Sequence, residues 1–482
     1  MKEFGDMPIE EFKKIGYEFI DWIAEYLQTI SEKPVLSQVQ PGDVKRKLPN
    51  EAPLDGEAFD KIFADLNQII IPGMTHWNHP NFMAYFNSTA SGPGILAELL
   101  SGAFNINGML WKSCPSSAEL EEVTLNWLKK MLGLDNGFWG IIYDTASTST
   151  MHAIAAARES IDDYKIREKG LAGRDDIGSL RLYASEHAHS SIDKGAITVG
   201  VGLNGVRKIP VDSNFSMIPE KLREAILEDK SKGFKPFCVV ATVGTTSSTS
   251  IDPVTEIAKI CKEEDIWLHV DAAHAGTAAI VPEMKWLMDG CEFADSIVIN
   301  PHKWMFVPID LSVLFTKKRD VLRRAFSLEA EYLKTPHNAD VTNYMDYGIQ
   351  LGRRFRSLKL WFVIRYFGVN GLIDRIREHL RLGRLFSSWI EEDERFELLA
   401  PVPLSTTCFR AVPAFIKTEE ELNIFNENLM NNINSTGRVF LSHTKLNGKY
   451  TIRLVVSGIR TEAKHVEEAW QIIQEEYQKL VR

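Results

Sequence analysis

The chain has 482 residues, 44% of them hydrophobic and 25% charged, and a formal net charge of -10. A chain of this length predicts a large core divided into two or three domains. The acidic balance argues against a nucleic-acid partner, because phosphate binding needs a basic surface. The first residues lack the pattern of a signal peptide, and no apolar run approaches the ~20 residues that cross a bilayer. We therefore expect neither a nucleic-acid nor a membrane partner.

The five cysteines are scattered along the chain and show no C-x-x-C spacing. An odd number of isolated cysteines is typical of a reducing compartment and argues against a disulfide or zinc framework. The sequence therefore predicts a cytoplasmic location and no metal.

An amphipathic helix is predicted after Pro8. Apolar side chains recur at steps of three and four residues from Phe12 to Ile30, which is the spacing of one helical face. The apolar stripe is wide for a terminal helix, which would normally fray. The helix packs either on its own domain or on a second subunit, and the pattern leaves both possibilities open.

The next segment, Met74 to Leu120, is rich in aromatic residues and carries His76 and His79. Two histidines suggest a metal site, but no carboxylate or further histidine follows at ligand spacing. A pocket wall or plain core is the favoured interpretation. A second amphipathic helix is predicted from Glu119 to Leu132.

Residues 138 to 300 alternate between strand and helix patterns, which predicts a mainly parallel sheet covered on both faces. From about Phe355 a long buried helix leads into a smaller α+β unit whose hairpin turn is Asn447-Gly448. Helices are expected at 151–158, 253–264, 358–368, 373–390, 418–434 and 461–481, and strands at 138–143, 180–185, 237–243, 266–270 and 297–299.

Four of these strands end at polar or reactive residues, and a fifth leads into a hydroxyl-rich helix start at Thr145 to Thr148. Open α/β sheets hold their ligands at the carboxyl ends of their strands. Each feature alone has an ordinary explanation, such as N-capping or a solvated loop lysine. The residues at the four ends are His189, Thr246, Asp271 and Lys303.

Taken together, these residues supply what pyridoxal phosphate needs. Lys303 offers an amine for a Schiff base with its aldehyde. Asp271 offers a carboxylate that keeps its ring nitrogen protonated. His189 offers an imidazole that can stack on the ring, and the helix start suits its phosphate.

Several longer motifs carry a family resemblance. The chain resembles the group II pyridoxal-phosphate decarboxylases, specifically the aromatic-L-amino-acid decarboxylases, over essentially its full length. The motifs are Asn300-Pro-His-Lys-Trp304, His269-Val-Asp-Ala-Ala-His-Ala-Gly276, Ala241-Thr-Val-Gly-Thr-Thr246, Ala188-His-Ser-Ser191, Leu351-Gly-Arg-Arg-Phe-Arg-Ser357 and Trp77 to Phe86.

The resemblance implies an α/β protein with the type I fold of pyridoxal-phosphate enzymes and a mainly parallel seven-stranded sheet. It also implies a homodimer with active sites at the interface, where the N-terminal helix packs on the partner. The expected division is an N-terminal helical dimerisation segment at 1–85, a large cofactor-binding domain at 86–374 and a small α+β domain at 375–482.

The family pattern also assigns roles to individual residues. Lys303 binds the cofactor covalently, Asp271 pairs with its ring nitrogen, His189 stacks on one face of the ring and Ala273 packs on the other. The remaining expected cofactor contacts are Thr145, Ala146, Ser147, Thr246, Asn300, His302 and Gly352.

Residues Glu329 to Pro336 match the family's mobile catalytic loop. Its Tyr332 is expected to reach the neighbouring subunit's site and to protonate the substrate carbon, through or beside His189. From the residues alone, Tyr332 is an ordinary loop aromatic.

The resemblance implies decarboxylation of DOPA, tyrosine, tryptophan or 5-hydroxytryptophan to the amine. An aldehyde synthase of the same fold is an alternative, but such relatives typically replace the loop tyrosine or the stacking histidine, and both are present here. A decarboxylase of acidic amino acids and a cofactor-free scaffold are less favoured. The expected substrate pocket comprises Trp77, Tyr85, Phe86, Asn107 and Met109.

Four residues depart from the family pattern. Asn87 replaces a usual proline, His274 replaces a tyrosine seen in animal relatives, and Asn107 and Met109 stand where more apolar or aromatic residues are usual. A polar Asn107 favours a hydroxylated ring or simply bonds to the backbone, and the sequence does not decide between these.

Overall fold

The structure is a computed structural model, and it describes residues 5–328 and 341–482. Within these residues, seven strands form the larger sheet, which confirms the predicted α/β fold. The strands are β1 Trp139–Tyr143, β2 Leu180–Ser185, β3 Val206–Ile209, β4 Lys235–Thr242, β5 Trp267–Asp271, β6 Ser296–Ile299 and β7 Ser312–Thr316.

The strands of the larger sheet lie in the order β1-β7-β6-β5-β4-β2-β3. Strands β2 to β6 pair in parallel, and β7 is antiparallel to both of its neighbours. Asp271, the last residue of β5, lies opposite Thr242 on β4 and Val298 on β6. The carboxyl ends of these three strands therefore meet at one edge, and the residues that follow them are held close together.

Helices cover both faces of this sheet, as expected for a parallel sheet whose strands are buried on both sides. The helices of the described residues, including those that pack away from this sheet, are α1 Ile9–Thr29, α2 Asp43–Lys47, α3 Phe59–Asp65, α4 Gly92–Phe104, α5 Pro115–Leu132, α6 Ala146–Glu159, α7 Ile166–Lys169, α8 Ser191–Thr198, α9 Pro219–Ser231, α10 Val254–Glu264, α11 Pro301–Trp304, α12 Arg319–Phe326, α13 Arg356–Glu392, α14 Glu419–Ser435 and α15 Ala463–Val481.

Helices α5 and α6 begin earlier than predicted, α5 at Pro115 and not at Glu119. Helix α6 begins at Ala146 and not at Met151, because Thr145 is extended and its carbonyl already accepts a bond from the Ser149 N–H. The hydroxyl side chains therefore belong to the first helical turn itself. The span of α13 is broken at Gly368, whose positive φ of 65° is non-helical and costs glycine little, so the two predicted helices meet there across a kink.

The C-terminal part contains a second, antiparallel sheet in the order β10-β11-β9-β8. The predicted hairpin is confirmed, because Asn447 and Gly448 both have positive φ between β10 and β11, as a tight hairpin turn requires. Its strands are β8 Phe396–Leu398, β9 Thr406–Ala411, β10 Ser442–Leu446 and β11 Lys449–Val455.

Helix α1 packs by one face only. Phe19 lies against Phe59 of α3, with ring centroids 5.3 Å apart, whereas Ile9, Phe12 and Tyr17 are exposed. No residue of α1 is buried. The proposed domain boundaries after residues 85 and 374 remain predictions. None of the helices in the described ranges combines the length and apolar character needed to cross a membrane.

Candidate active site

A cavity of about 210 Å³ lies at the carboxyl ends of the parallel strands. Most of the side chains predicted to bind the cofactor line this cavity. They are Thr145, Ala146, Ser147, His189, Thr246, Asp271, Ala273, Asn300, His302 and Lys303, and Phe86 of the predicted substrate pocket joins them.

Lys303 reaches this cavity because Asn300 and Pro301 end strand β6 and start the short helix α11. Its Nζ lies 5.3 Å from the centroid of the Phe86 ring. Desolvation lowers the pKa of this amine from 10.5, and the opposing effect of the Asp271 carboxylate only partly offsets it. A lowered pKa raises the fraction of neutral amine, which is the nucleophilic form.

Asp271 ends β5, and its carboxylate is buried. One of its oxygens accepts a hydrogen bond from the Ala273 N–H at 3.1 Å. A buried carboxylate is costly unless a cation or hydrogen-bond donors compensate it. The geometry therefore suits a cationic ring nitrogen in the same cavity.

His189 follows β2 and is exposed at the cavity mouth of a single chain. Its Nδ1 lies 2.8 Å from the Ser191 hydroxyl and accepts the Ser191 N–H at 3.1 Å. Partial desolvation lowers its pKa from 6.5, against the effect of Asp271. The imidazole is therefore neutral near pH 7, with Nδ1 as the acceptor and the proton on Nε2.

The start of helix α6 forms part of the cavity wall. The first N–H groups of a helix have no partner within the helix, and the helix dipole is positive there. Asp144 holds this turn, because its carboxylate accepts bonds from the Thr145 N–H at 2.5 Å and from the Gln350 amide at 3.1 Å. The wall suits a phosphate group.

Two buried oxygens at the cavity also suit a polar ligand. Asn300 Oδ1 and Thr242 Oγ1 have no hydrogen-bond partner among the described residues, and both residues line the cavity. Buried polar atoms are normally satisfied, so unpaired ones at a cavity indicate a ligand. The residues present therefore fit pyridoxal phosphate.

His302 is held in the cavity wall by two contacts. Its Nδ1 accepts the Leu311 N–H at 3.0 Å, and its Nε2 lies 3.4 Å from the Asn300 amide nitrogen. Burial, followed by the charge of Lys303, lowers its pKa to about 3. The ring is therefore neutral at any pH where the protein is expected to work.

The remaining predicted pocket residues do not line the cavity. Trp77 and Tyr85 stack on each other with centroids 5.9 Å apart, and they are 41% and 49% exposed. Asn107 lies on a different segment, where its Oδ1 accepts the Arg353 N–H at 2.9 Å. Met109 and Gly352 lie beside Asn107, and Tyr332 lies outside the described residues. In one chain the predicted substrate wall is thus split into two parts.

Three lining residues were missed by sequence reasoning: Thr242, Gly244 and His274. Thr242 and Gly244 belong to the motif Ala241–Thr246; Thr242 is the last residue of β4 and Gly244 lies two residues beyond it, a position at the strand end that could have identified both. His274 was noted only as a departure from the family.

The two histidines that suggested a metal site have structural partners. His76 Nδ1 lies 2.8 Å from the Tyr26 hydroxyl, and His79 Nδ1 accepts the Asn81 N–H at 2.9 Å. Across the described ranges, no group of three or more His, Cys, Asp or Glu side chains is placed to hold a metal ion.

A larger surface cleft, of about 350 Å³, lies near the beginning of β2, at the amino ends of the strands. Its Arg174 and Arg181 already form ion pairs with Asp176 and Asp229, at 2.5 and 3.5 Å. None of the predicted site residues lines it, so the candidate site is the smaller cavity.

Comparison with known proteins supports the same interpretation. The pyridoxal-dependent decarboxylase conserved domain matches residues 41–412. Tryptophan decarboxylase 2 of Oryza sativa subsp. japonica is 40% identical, over 98% of this chain and 96% of its own length. The aromatic-L-amino-acid decarboxylase of Cavia porcellus is 41% identical, over 97% and 98%.

Two further relatives matter for the chemistry. Phenylacetaldehyde synthase of Arabidopsis thaliana is 40% identical, over 98% of this chain and 97% of its own length. The crystal structure of Oryza sativa TDC with PLP and tryptamine superposes with a TM-score of 0.95 at 33% identity and covers all of both chains. These matches confirm the resemblance inferred from the motifs.

Proposed function

The chain belongs to the pyridoxal-dependent decarboxylase family and is a carbon–carbon lyase that uses pyridoxal phosphate, and we propose that it converts aromatic L-amino acids into arylalkylamines and CO2. The candidate substrates are DOPA, tyrosine, tryptophan and 5-hydroxytryptophan. The observation that carries the proposal is the single cavity that holds Lys303, Asp271 and the start of helix α6. Relatives of about 40% identity named for tryptophan and aromatic amino acids support the substrate class.

When bound, pyridoxal phosphate supplies an electron sink for the bond that is broken. Lys303 would anchor the group covalently, and its lowered pKa favours the neutral amine that reacts. Asp271 would hold the ring nitrogen in its protonated form. The N–H groups at the start of helix α6 would bind the phosphate.

His189 is suited to stack on the cofactor ring, because its imidazole is neutral and exposed at the cavity mouth. Its Nε2 is left free to carry a proton, since Nδ1 is occupied by Ser191. The Nε2–H group is therefore available to steer a proton toward the substrate carbon.

Tyr332 is proposed as the proton donor for that carbon, on the family pattern alone. The Tyr332→Phe variant should then divert product from amine toward aldehyde. Amine formation at the normal rate would contradict this role.

We propose that the working form is a homodimer in which a second copy completes the substrate wall. The exposed face of α1 supports this, and so do the exposed Leu99 and Phe104 on α4. The predicted substrate wall supports it too, because it is split into two parts and partly exposed in one chain. Large exposed apolar surfaces on folded chains commonly mark subunit interfaces.

Sedimentation of the purified protein tests the dimer. The Phe12→Glu variant should shift the protein toward monomer and lower its activity, whereas Phe293→Glu, at an equally exposed position outside these helices (61% against 58% for Phe12), should not. A monomeric wild-type protein with full activity would contradict the dimer.

A second candidate function is aldehyde formation, because the phenylacetaldehyde synthase is as similar as the decarboxylases. Incubation with a panel of aromatic amino acids, followed by assays for amine, aldehyde and peroxide, distinguishes the two. Amine without peroxide supports the decarboxylase. Aldehyde with stoichiometric peroxide supports the synthase, and turnover of acidic amino acids alone would contradict both.

We further propose a cytoplasmic location without nucleic-acid or membrane partners. All five cysteines are free, and four of them are buried, as is common in a reducing compartment. Fractionation of the cells that make the protein tests the location.

A further inference from the structure

The loop Gly244 to Ser250 follows β4 and borders the cavity, where Gly244 and Thr246 are lining residues. Bonds within the loop close its base, where the Thr245 N–H donates to the Ser250 carbonyl at 2.9 Å. The tip, at Thr246 and Ser247, takes its support from the C-terminal sheet.

Arg453 on β11 provides most of that support. Its Nη2 donates to the Thr246 carbonyl and its Nε to the Ser247 carbonyl, both at 2.7 Å. A guanidinium is a rigid fork of donors, so bonds to two consecutive carbonyls fix both peptide planes at once.

The neighbours of Arg453 across the sheet contact the same region. Cys408 on β9 and Ser442 on β10 lie directly opposite Arg453 in the strand register. The Cys408 thiol donates to the Ser247 carbonyl at 3.3 Å. The Ser442 hydroxyl accepts from Arg453 Nη1 at 2.9 Å and from the Tyr85 N–H at 3.4 Å. This row of three residues therefore links the loop to the Tyr85–Phe86 segment.

Arg453 is unusual in its charge environment. Its side chain is buried, and no carboxylate within residues 5–328 and 341–482 forms an ion pair with it. By contrast, Arg410 on the neighbouring β9 is equally buried but pairs with Glu397 and Glu419. Burial of an unpaired charge is costly. Backbone carbonyls and the face of the Phe86 ring, 5.8 Å away, therefore stabilise the charge of Arg453.

We propose that Arg453 is a positioning residue through which the C-terminal sheet holds both Thr246 and Phe86 at the cofactor cavity. The sheet thereby sets cofactor affinity although none of its own residues lines the cavity. The inference rests on the proposed function, since it takes this cavity to be the cofactor site.

The test compares full-length Arg453→Met with Arg410→Met. We expect Arg453→Met to weaken pyridoxal phosphate binding about tenfold, which is the effect of losing a charged hydrogen bond, and to change the circular dichroism of the bound cofactor. Arg410→Met should lower thermal stability and leave both cofactor readouts within about twofold of wild type. Equal cofactor affinity in Arg453→Met and wild type would overturn the proposal.

Arg453→Lys keeps the charge but cannot bond both carbonyls in the same planar geometry. It covers the case in which Arg453→Met does not fold, and we expect it to bind the cofactor about threefold more weakly. Affinity equal to wild type would again overturn the proposal. Cofactor binding is measured without substrate, so a wild-type protein that binds pyridoxal phosphate but leaves aromatic amino acids unchanged would contradict only the proposed function.

Discussion

The two parts of the candidate site differ in how completely one chain builds them. The cofactor cavity is bordered by buried groups such as Asp271, Asn300 and His302, all at the carboxyl ends of adjacent strands. The predicted substrate pocket is less enclosed. Its aromatic wall, which is the pair Trp77 and Tyr85, is half-exposed, and Asn107 lies on a separate segment. The groups proposed to perform the chemistry thus belong to the core, whereas the groups proposed to select the substrate lie at the surface.

This difference has a physical origin in the sheet. Parallel strands in register must bring their carboxyl ends together, so the cavity forms as soon as the sheet does. The aromatic wall has no such scaffold and depends on loops packing against other surfaces. Chemistry and substrate selection should therefore be separable by mutation.

The largest expected effect is at Lys303. Lys303→Ala should abolish the visible absorbance of lysine-bound cofactor and lower turnover by about 10³-fold or more, because the covalent nucleophile is lost. Absorption spectroscopy and an amine assay measure both. Lys317→Ala, at the end of the neighbouring β7, is the matched control and should resemble wild type. Unchanged absorbance in Lys303→Ala would contradict the assignment of this cavity as the cofactor site.

Lowering the pH should reduce the free energy of unfolding by several kcal/mol, because three buried histidines are neutral in the folded protein. Burial lowers the pKa of His302 to about 3, and of His269 and His379 to about 4. Since their unfolded pKa is near 6.5, the unfolded chain binds more protons between pH 6.5 and 4. Stability is therefore full above pH 6.5 and falls as pH drops, by up to about 1.4 kcal/mol per pH unit for each group.

Thermal midpoints measured between pH 7 and 4 test this expectation. His379→Gln keeps an acceptor for the Trp304 indole N–H, which His379 Nδ1 accepts at 2.9 Å, but removes one titrating group. Its midpoint should fall less steeply with acid than that of wild type. Parallel curves for the two proteins would exclude His379 as a source of the acid sensitivity.

Substitutions in the aromatic wall, unlike Lys303→Ala, should lower substrate turnover and leave cofactor binding intact. Trp77→Ala and Tyr85→Ala should each lower kcat/KM for aromatic substrates about 10- to 100-fold, because large aromatic contacts dominate such interfaces. Cofactor absorbance should stay normal. Trp286→Ala, at a similarly exposed indole elsewhere (44% against 41% for Trp77), is the control. Loss of cofactor absorbance in the Trp77 or Tyr85 variants would break the separation between the two regions.

Most residues predicted to bind the cofactor line one cavity in the structure, for an identifiable reason. Strand ends are local signals: Pro301 ends β6 just before Lys303, and the apolar run of β5 stops at Asp271. The parallel pairing of β4, β5 and β6 then brings these strand ends together. The predicted helix began five residues too late at α6, because serine and threonine are weak helix formers, and the N-cap Thr145 makes no side-chain capping bond in the structure.

The remaining features could not be read from local pattern. Arg453 lies about two hundred residues from Thr246, on a different sheet, and only the packing of the two sheets brings them to hydrogen-bond distance. The placement of Asn107 apart from Tyr85 is likewise a property of loop packing. Neither leaves a periodic signal in the sequence.

The smallest expected effect is at His274, where the two regions meet. Its imidazole stacks between Phe86 from the aromatic segment and Trp304 from α11, with centroids 3.8 and 4.6 Å away and nearly parallel planes. Both of its nitrogens are buried and have no hydrogen-bond partner among the described residues. An unpaired buried polar group costs about 1–3 kcal/mol.

In the protein without cofactor, His274→Phe keeps an aromatic ring in the stack and removes two unpaired buried nitrogens, so it should stabilise the fold by about 1 kcal/mol and raise the thermal midpoint. His152→Phe is the matched control, because both of its nitrogens are used, by the Thr148 carbonyl at 2.7 Å and the Ile349 N–H at 3.1 Å; it should lower the midpoint. Cofactor absorbance at saturation should be unchanged in His274→Phe, since the stack behind Phe86 persists. If His274→Phe destabilises the protein as much as His152→Phe, the imidazole nitrogens have a bonding role, and the joint between the two regions is polar and not merely stacked.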